Sequence, residues 1–159
     1  MTGEQAEVRR FAEILQEALN VLGPAKVSVA GPDDTGLYGL TVNRDEGIRQ
    51  GRLRITVRMR VRPVVELDEP SLQTVMYMHT LKSSSWEEGT REILAYHWHG
   101  GIPHVHVHGG KEHIETGRVT VEALIRYCIK EAGWAPTTAA WEGVLEVTSA
   151  HFDLNHRWT

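Results

Sequence analysis

The sequence has little cysteine. A single thiol, Cys128, in 159 residues excludes an internal disulfide and any zinc site built from several cysteines. It falls in the apolar stripe of a predicted helix, which reads as a buried, inert thiol. Long apolar runs are also missing, so no membrane-spanning segment is expected. The N-terminal MTGEQAEVRR does not read as a signal peptide, and the cytoplasm is the expected location. No glycine-rich phosphate loop follows a predicted strand, and GPDDTG at Gly31 to Gly36 lacks the required pattern. That argues against a nucleotide-cofactor fold. No internal repeat or low-complexity tract is visible. Excess positive charge is absent too: the formal net charge is −4. A nucleic-acid role would have to rest on a local patch.

What is present is histidine. Six of the nine histidines lie between Ile93 and His113, in ILAYHWHGGIPHVHVHGGKEH. Side chains alternate between the faces of a strand. His97 and His99 therefore share one face, with Tyr96 and Trp98 on the other. After Gly100-Gly101, a plausible hairpin connection, His104, His106 and His108 share one face and Val105 and Val107 the other. A two-residue turn sets His97 opposite His104. A four-residue loop sets His99 opposite His104. Either register gives a sheet with an imidazole-covered surface and an apolar back.

The second informative stretch is RLRITVRMRVR, Arg52 to Arg62. Leu53, Ile55, Val57, Met59 and Val61 alternate with Arg52, Arg54, Thr56, Arg58, Arg60 and Arg62. Strict alternation predicts a strand with one buried face. Its other face is a row of five arginines, whose planar forks suit phosphates and carboxylates.

The rest supplies the frame. Glu4 to Leu22 carries an amphipathic stripe and predicts a helix that Gly23-Pro24 ends. Lys26 to Ala30 and Gly36 to Asn43 read as short strands, and Asn43 to Gly51 as a loop or wide connection. Pro63 interrupts the arginine strand, which Val64 to Leu67 would continue after a bend. Leu72 to Leu81 is a further strand candidate, and Ser83 to Gly89, with Trp86, reads as a polar loop. Thr120 caps a predicted helix over Val121 to Ala132 that Gly133 closes. A last helix runs from Thr137 or Thr138 to about Ala150, its stripe reaching Phe152; a strand over Gly143 to Thr148 is the alternative. The tail would dock on the body. The chain of 159 residues therefore reads as one α+β domain. It is expected to have a curved, mostly antiparallel sheet of five or more strands, an N-terminal helix and two C-terminal helices, with the helices on one face.

Two chemistries suit the histidine face. One is a divalent transition metal (zinc, iron or nickel) held by some of His97, His99, His104, His106, His108 and Glu112. GGIPHVHVHGGKE resembles half of the cupin metal pattern through Gly100, His106, His108 and Glu112. That signature's downstream half is absent, and the match reads as coincidence. The other chemistry is metal-free acid–base cleavage of RNA by His97, His99, His104 and His106 with Tyr96 nearby. Arg52, Arg54, Arg58, Arg60 and Arg62 would then bind phosphate. It requires the arginines and histidines to share a face. A third reading is a non-enzymatic module whose basic surface binds an acidic partner. The bland alternative leaves the histidines as polar surface and pairs the arginines with Glu66, Asp68, Glu87, Glu88 or Glu92.

The run AYHWH, the histidine-rich turn and HIETGRVTVEALIRYCIKEAGW together resemble, in layout, small prokaryotic proteins of the TumE-like toxin group. The likeness covers roughly Arg52 to Gly133. The N-terminal helix and the chain beyond Pro136 depart from it. The resemblance implies the toxin half of a toxin–antitoxin pair and a neutralising partner protein, and no particular reaction.

Overall fold

The computed structural model describes residues 2–66, 68–87, 89–117 and 119–158. For Glu66, Glu69, Pro70 and residues 151–158 it describes the backbone alone. Helix α1 (Gly3–Leu19) is followed by strands β1 (Val27–Ala30) and β2 (Tyr38–Val42). Then come β3 (Ile48–Gln50), β4 (Leu53–Glu66), β5 (Glu69–Ser85), β6 (Gly89–Trp98), β7 (His104–Val107) and β8 (Ile114–Glu115). Helices α2 (Val121–Lys130) and α3 (Trp141–Asn155) and the short strand β9 (His156–Trp158) close the chain. The α+β class, the N-terminal helix and the two C-terminal helices agree with the sequence. The Gly143 to Thr148 segment is helical.

The strands form one sheet in the order β1-β2-β4-β5-β6-β7-β8, with β3 on β4 and β9 on β5. Only the β5–β9 pair is parallel among the described residues. The expected curvature is corrected: the sheet is neither curved nor closed, and its path runs open from β1 to β8. The cause lies in the helices. Phe11, Leu15 and Leu19 of α1, Leu124 and Ile125 of α2 and Leu145 of α3 join one core with Ile55, Val57 and Val61 of β4. Three helices thus cover the apolar face, and the sheet need not curl to bury it. On β4 the alternation holds: Ile55, Val57, Met59 and Val61 are buried while Arg58, Arg60 and Arg62 are exposed.

Other boundaries differ. Asn43 to Gly51 contains a 3-10 turn (Asn43–Asp45) and β3 instead of a plain loop. Pro63 does not end β4, which pairs with β5 from Leu53 to Glu66. Ser83 to Gly89 is not a loop: β5 runs to Ser85 and β6 begins at Gly89. Ser84 Oγ shares a hydrogen bond with Thr90 Oγ1 at 3.0 Å across that hairpin. The tail pairs by its backbone with Leu72 to Thr74. The side chains of Phe152 and of the expected arginine partner Glu66, and the whole of Glu88, lie outside what is described.

On β5 the ladder to β4 slips at Arg60/Val61, where Met76 pairs with Arg60 and Thr74 with Val61. Val75 is the extra residue of this β-bulge. Leu72 and Thr74 therefore share the buried face with Tyr77, His79 and Leu81. Met76 and Met78 lie on the polar face, opposite Arg60 and Arg58.

His79 is a histidine without solvent. It is fully buried, stacked on Tyr77 with ring centroids 5.0 Å apart, and neither ring nitrogen has a hydrogen-bond partner. Burial pushes its pKa down to about 3, well below the ordinary 6.5. The unfolded chain therefore takes up a proton below pH 6.5 that the folded chain refuses until about pH 3. Stability conferred by neutral His79 is complete above pH 6.5 and is lost as the pH falls toward 3, by about 1.4 kcal/mol per pH unit. His79→Phe keeps the ring stack and removes the proton. It is expected to flatten the fall in urea-unfolding stability between pH 6.5 and 4. An unchanged slope in the variant would refute this.

Candidate metal centre

The histidine hairpin takes the register in which His97 faces His104. Ala95 faces His106. His97, His104 and His106 are half-buried, and their ligand atoms all lie within 4.8 Å of one another. A tetrahedral zinc ion with about 2.05 Å bonds needs donors about 3.3 Å apart. Small side-chain rotations that close gaps of no more than about 1.5 Å would seat it. A cluster able to coordinate a metal ion is therefore present.

The backbone prepares two of the three rings. His104 Nδ1 lies 3.1 Å from the Ile102 carbonyl oxygen, and His106 Nδ1 lies 2.9 Å from that of Gly110. A carbonyl only accepts, so in each neutral ring Nδ1 carries the hydrogen and Nε2 keeps its lone pair. This is how metal-binding histidines are oriented by their outer hydrogen bonds. Ring centroids of His97 and His106 are 4.9 Å apart, closer than the 5.6 Å from His97 to His104 directly opposite. Ala95, opposite His106 and next to His97 on the same face of β6, has a side chain small enough to leave room for that approach.

His97 sits at the middle. Burial, then the neighbouring imidazoles, hold its pKa down to about 4. It is neutral near pH 7, as a ligand must be. The remaining predicted residues separate. His99 is exposed, 5.6 Å from His97 by ring centroids, and outside the triad. His108 has left the strand, in a left-handed backbone conformation with φ 53°. Glu112 is exposed on the following loop. Tyr96 is on the core face, paired with His79 and Val105 and on the opposite side of the sheet from the histidine triad. Burial raises its phenol pKa.

The sequence leaves open whether His113 joins the cluster, and marks it as better placed than His151 or His156 because the loop after His108 can fold back over the hairpin; it stands just before β8, which pairs with β7. It stacks on His104 with centroids 4.2 Å apart and planes 8° from parallel. A metal bond lies in the plane of its imidazole, so two stacked rings do not share one ion. His113 covers the triad and is not a fourth ligand in this arrangement. Burial and the two nearby histidines lower its pKa.

The arginines share the histidine face. Register carries one polar row across the sheet: Thr41, Arg58, Met78, His97, His104 and Glu115. Arg58 donates from Nε to Asp45 Oδ1 at 2.8 Å and from Nη2 to Asp45 Oδ2. That contact holds the Asp45 carboxyl below its usual range. Asp45 is aimed by an unusual turn, since Asn43, Arg44 and Asp45 all have positive φ. Arg60 lies 3.6 Å from Asp33. Arg54 donates to the Glu46 carbonyl and stands between Arg49 and Lys82, a row of three cations. Arg62 is exposed, and Arg52 lies apart, beside fully exposed Trp86. The alternation marked the arginines, but their common face with the histidines depends on the register of β5.

No protein-family model matches the chain, and neither a curated protein nor a solved structure matches it. No helix among the described residues is long and apolar enough to cross a membrane. The site therefore stands on its own geometry: three convergent imidazoles on the cationic face of an open antiparallel sheet.

Proposed function

We propose that the chain is a metalloprotein whose three-histidine centre supports hydrolysis of phosphodiesters, with RNA as the substrate. The observation that carries this reading is the convergence of His97, His104 and His106 on the face that also holds Arg54, Arg58, Arg60 and Arg62. Three protein ligands leave a coordination position open, as catalytic zinc sites do. A divalent ion there would polarise a phosphoryl oxygen and acidify water. The protein's own groups do the rest. Arginines hold the phosphate, and exposed His99 beside His97 is placed to move a proton. In the overall step, water adds to phosphorus, the P–O bond to the leaving ribose oxygen breaks, and one proton of the water reaches that oxygen. A metal-free acid–base pair centred on His97 is less well supported, because burial and the neighbouring rings oppose a proton on that imidazole.

The resemblance to TumE-like toxins extends the proposal to a neutralising partner protein, which would act by covering this face. The direct test is elemental analysis of tag-free protein together with an RNA cleavage assay. About one equivalent of transition metal is expected, lost in His104→Ala/His106→Ala together with cleavage. A wild-type protein that holds no metal and takes up no zinc, iron or nickel would refute the centre.

A further inference from the structure

A groove of about 460 Å³ runs along the polar face next to the histidines. Its lining includes Gly39, Met76 and Met78, then Arg58 and Arg60 with Asp45 beside them, and His99; we read the first three, short or apolar, as its floor. His99 also lines a second cleft, with His104, His113 and Glu115. The two hollows therefore meet at one side chain beside the metal centre. We propose that the groove is a nucleobase subsite for a single-stranded polynucleotide whose neighbouring phosphate lies at that centre. This rests on the reading of the centre as acting on phosphodiesters.

Gly39 is the first reason. It lies within β2, opposite Arg60 on the polar face. Its backbone does not need glycine, and a Cβ added there would meet nothing within 4 Å. Neither a turn nor tight packing accounts for the missing side chain. Glycine inside a strand often marks the close approach of a ligand. Here its effect is to keep the groove floor flat.

The methionines are the second. Met76 and Met78 are only half-buried, among arginines on an otherwise polar face. Flexible thioethers make favourable contacts with aromatic rings and adapt to their shape. Arg58 spends two N–H groups on Asp45 and keeps three of its five for a ligand. An apolar floor edged by guanidinium forks suits a flat base carried on an anionic backbone.

Spacing is the third. The groove is centred on β4 and β5, and the triad on β6 and β7, about 10 Å away at the usual strand separation. A base in one and a phosphate at the other belong to different nucleotides, so the ligand is a strand and not a mononucleotide. A duplex keeps its bases stacked inside and cannot lay one on this floor.

The test uses the whole 159-residue chain loaded with zinc, its metal content measured separately for every variant. Binding is read by fluorescence anisotropy with labelled U10 RNA, dT10 DNA and a short RNA duplex over a range of salt. Gly39→Phe is expected to weaken single-strand binding about tenfold, at the scale of one lost base contact. Gly39→Ala should stay within about twofold, since one methyl leaves most of the floor open, and zinc content should not change. Arg60→Ala provides a second variant, which removes a charge and opens the groove where Gly39→Phe fills it. It should reduce the slope of log affinity against log salt by about 0.7, one phosphate contact. Binding of U10 alone assigns the site to RNA, and binding of dT10 as well extends it to DNA; both support a single-strand subsite. Loaded protein that binds the duplex as tightly, or ignores both Gly39→Phe and Arg60→Ala, overturns it. Protein that takes up no zinc yet binds U10 in a Gly39-dependent way would overturn the metal centre and leave the subsite standing.

Discussion

His97→Ala is expected to lower zinc affinity more than about a hundredfold, beyond the ten- to hundredfold typical of losing an outer-shell partner. The reason is geometric. His104 and His106 come from one strand, two residues apart, and already use Nδ1 on backbone carbonyls. They offer a pair of donors on a partly open surface. His97, from the neighbouring strand, turns that pair into a triangle. Its own pKa, near 4, means that little proton competition opposes binding at neutral pH. Removing it leaves two ligands, too few to hold zinc against water and buffer. His99→Ala and His113→Ala are expected to stay within about tenfold of wild type. His99 lies outside the triad, and His113 stacks face to face on His104. Competition against a zinc-binding dye would measure all three. Equal affinity in His97→Ala, or a collapse in His113→Ala of the size expected for His97, would show that the ion is held by a different set.

The two stretches that suggested the site were legible because each is a strand with a strong period of two. The arginine alternation and the histidine hairpin needed nothing from elsewhere in the chain. Their relation did depend on the rest. Arg58 and His97 are separated by β5, and whether they share a face is decided by its parity. That strand reads ambiguously because the Val75 bulge changes faces partway along. Before it the core residues are Leu72 and Thr74; after it they are Tyr77, His79 and Leu81. A fixed alternation mixes both sets and puts Met76 and Met78 with Leu72. His108 failed for a related reason. Its positive φ breaks the strand one residue after Val107 and takes the third member of His-x-His-x-His out of the triad. His113 entered through the pairing of β8 with β7, a two-residue strand too short to leave a periodic signal. The expectation of a curved sheet failed because the amount of apolar surface covered by helices depends on packing, which periodicity does not report.

Trp134 had no periodic signal either, since it follows the end of α2, just after Gly133 with φ 78°. In the fold it is among the largest fully buried side chains. Its Nε1 donates to the Leu22 carbonyl at 2.8 Å, joining positions 112 residues apart. The adjoining segment closes the same junction. Thr137 donates from its backbone to the Val21 carbonyl and from Oγ1 to that of Asn20, both at 2.8 Å. Three carbonyls at and just beyond the end of α1 are thus satisfied by a segment from the other end of the chain. Ends of helices otherwise leave such groups to water. Trp134→Ala removes a buried indole and leaves the Leu22 carbonyl without this partner. The expected loss is about 3–5 kcal/mol. For a domain of this size that corresponds to a melting point lower by roughly 6–20 °C. Trp134→Phe fills most of the space and gives up chiefly the hydrogen bond, so about 1–3 kcal/mol is expected. Urea unfolding of both variants measures this directly. A loss below about 1 kcal/mol in Trp134→Ala would mean that the junction does not hold α1 on the sheet. The metal triad belongs to the opposite, polar face of the sheet. Zinc affinity measured well below the melting point should therefore be unchanged in Trp134→Ala, which separates loss of the fold's support from loss of the site.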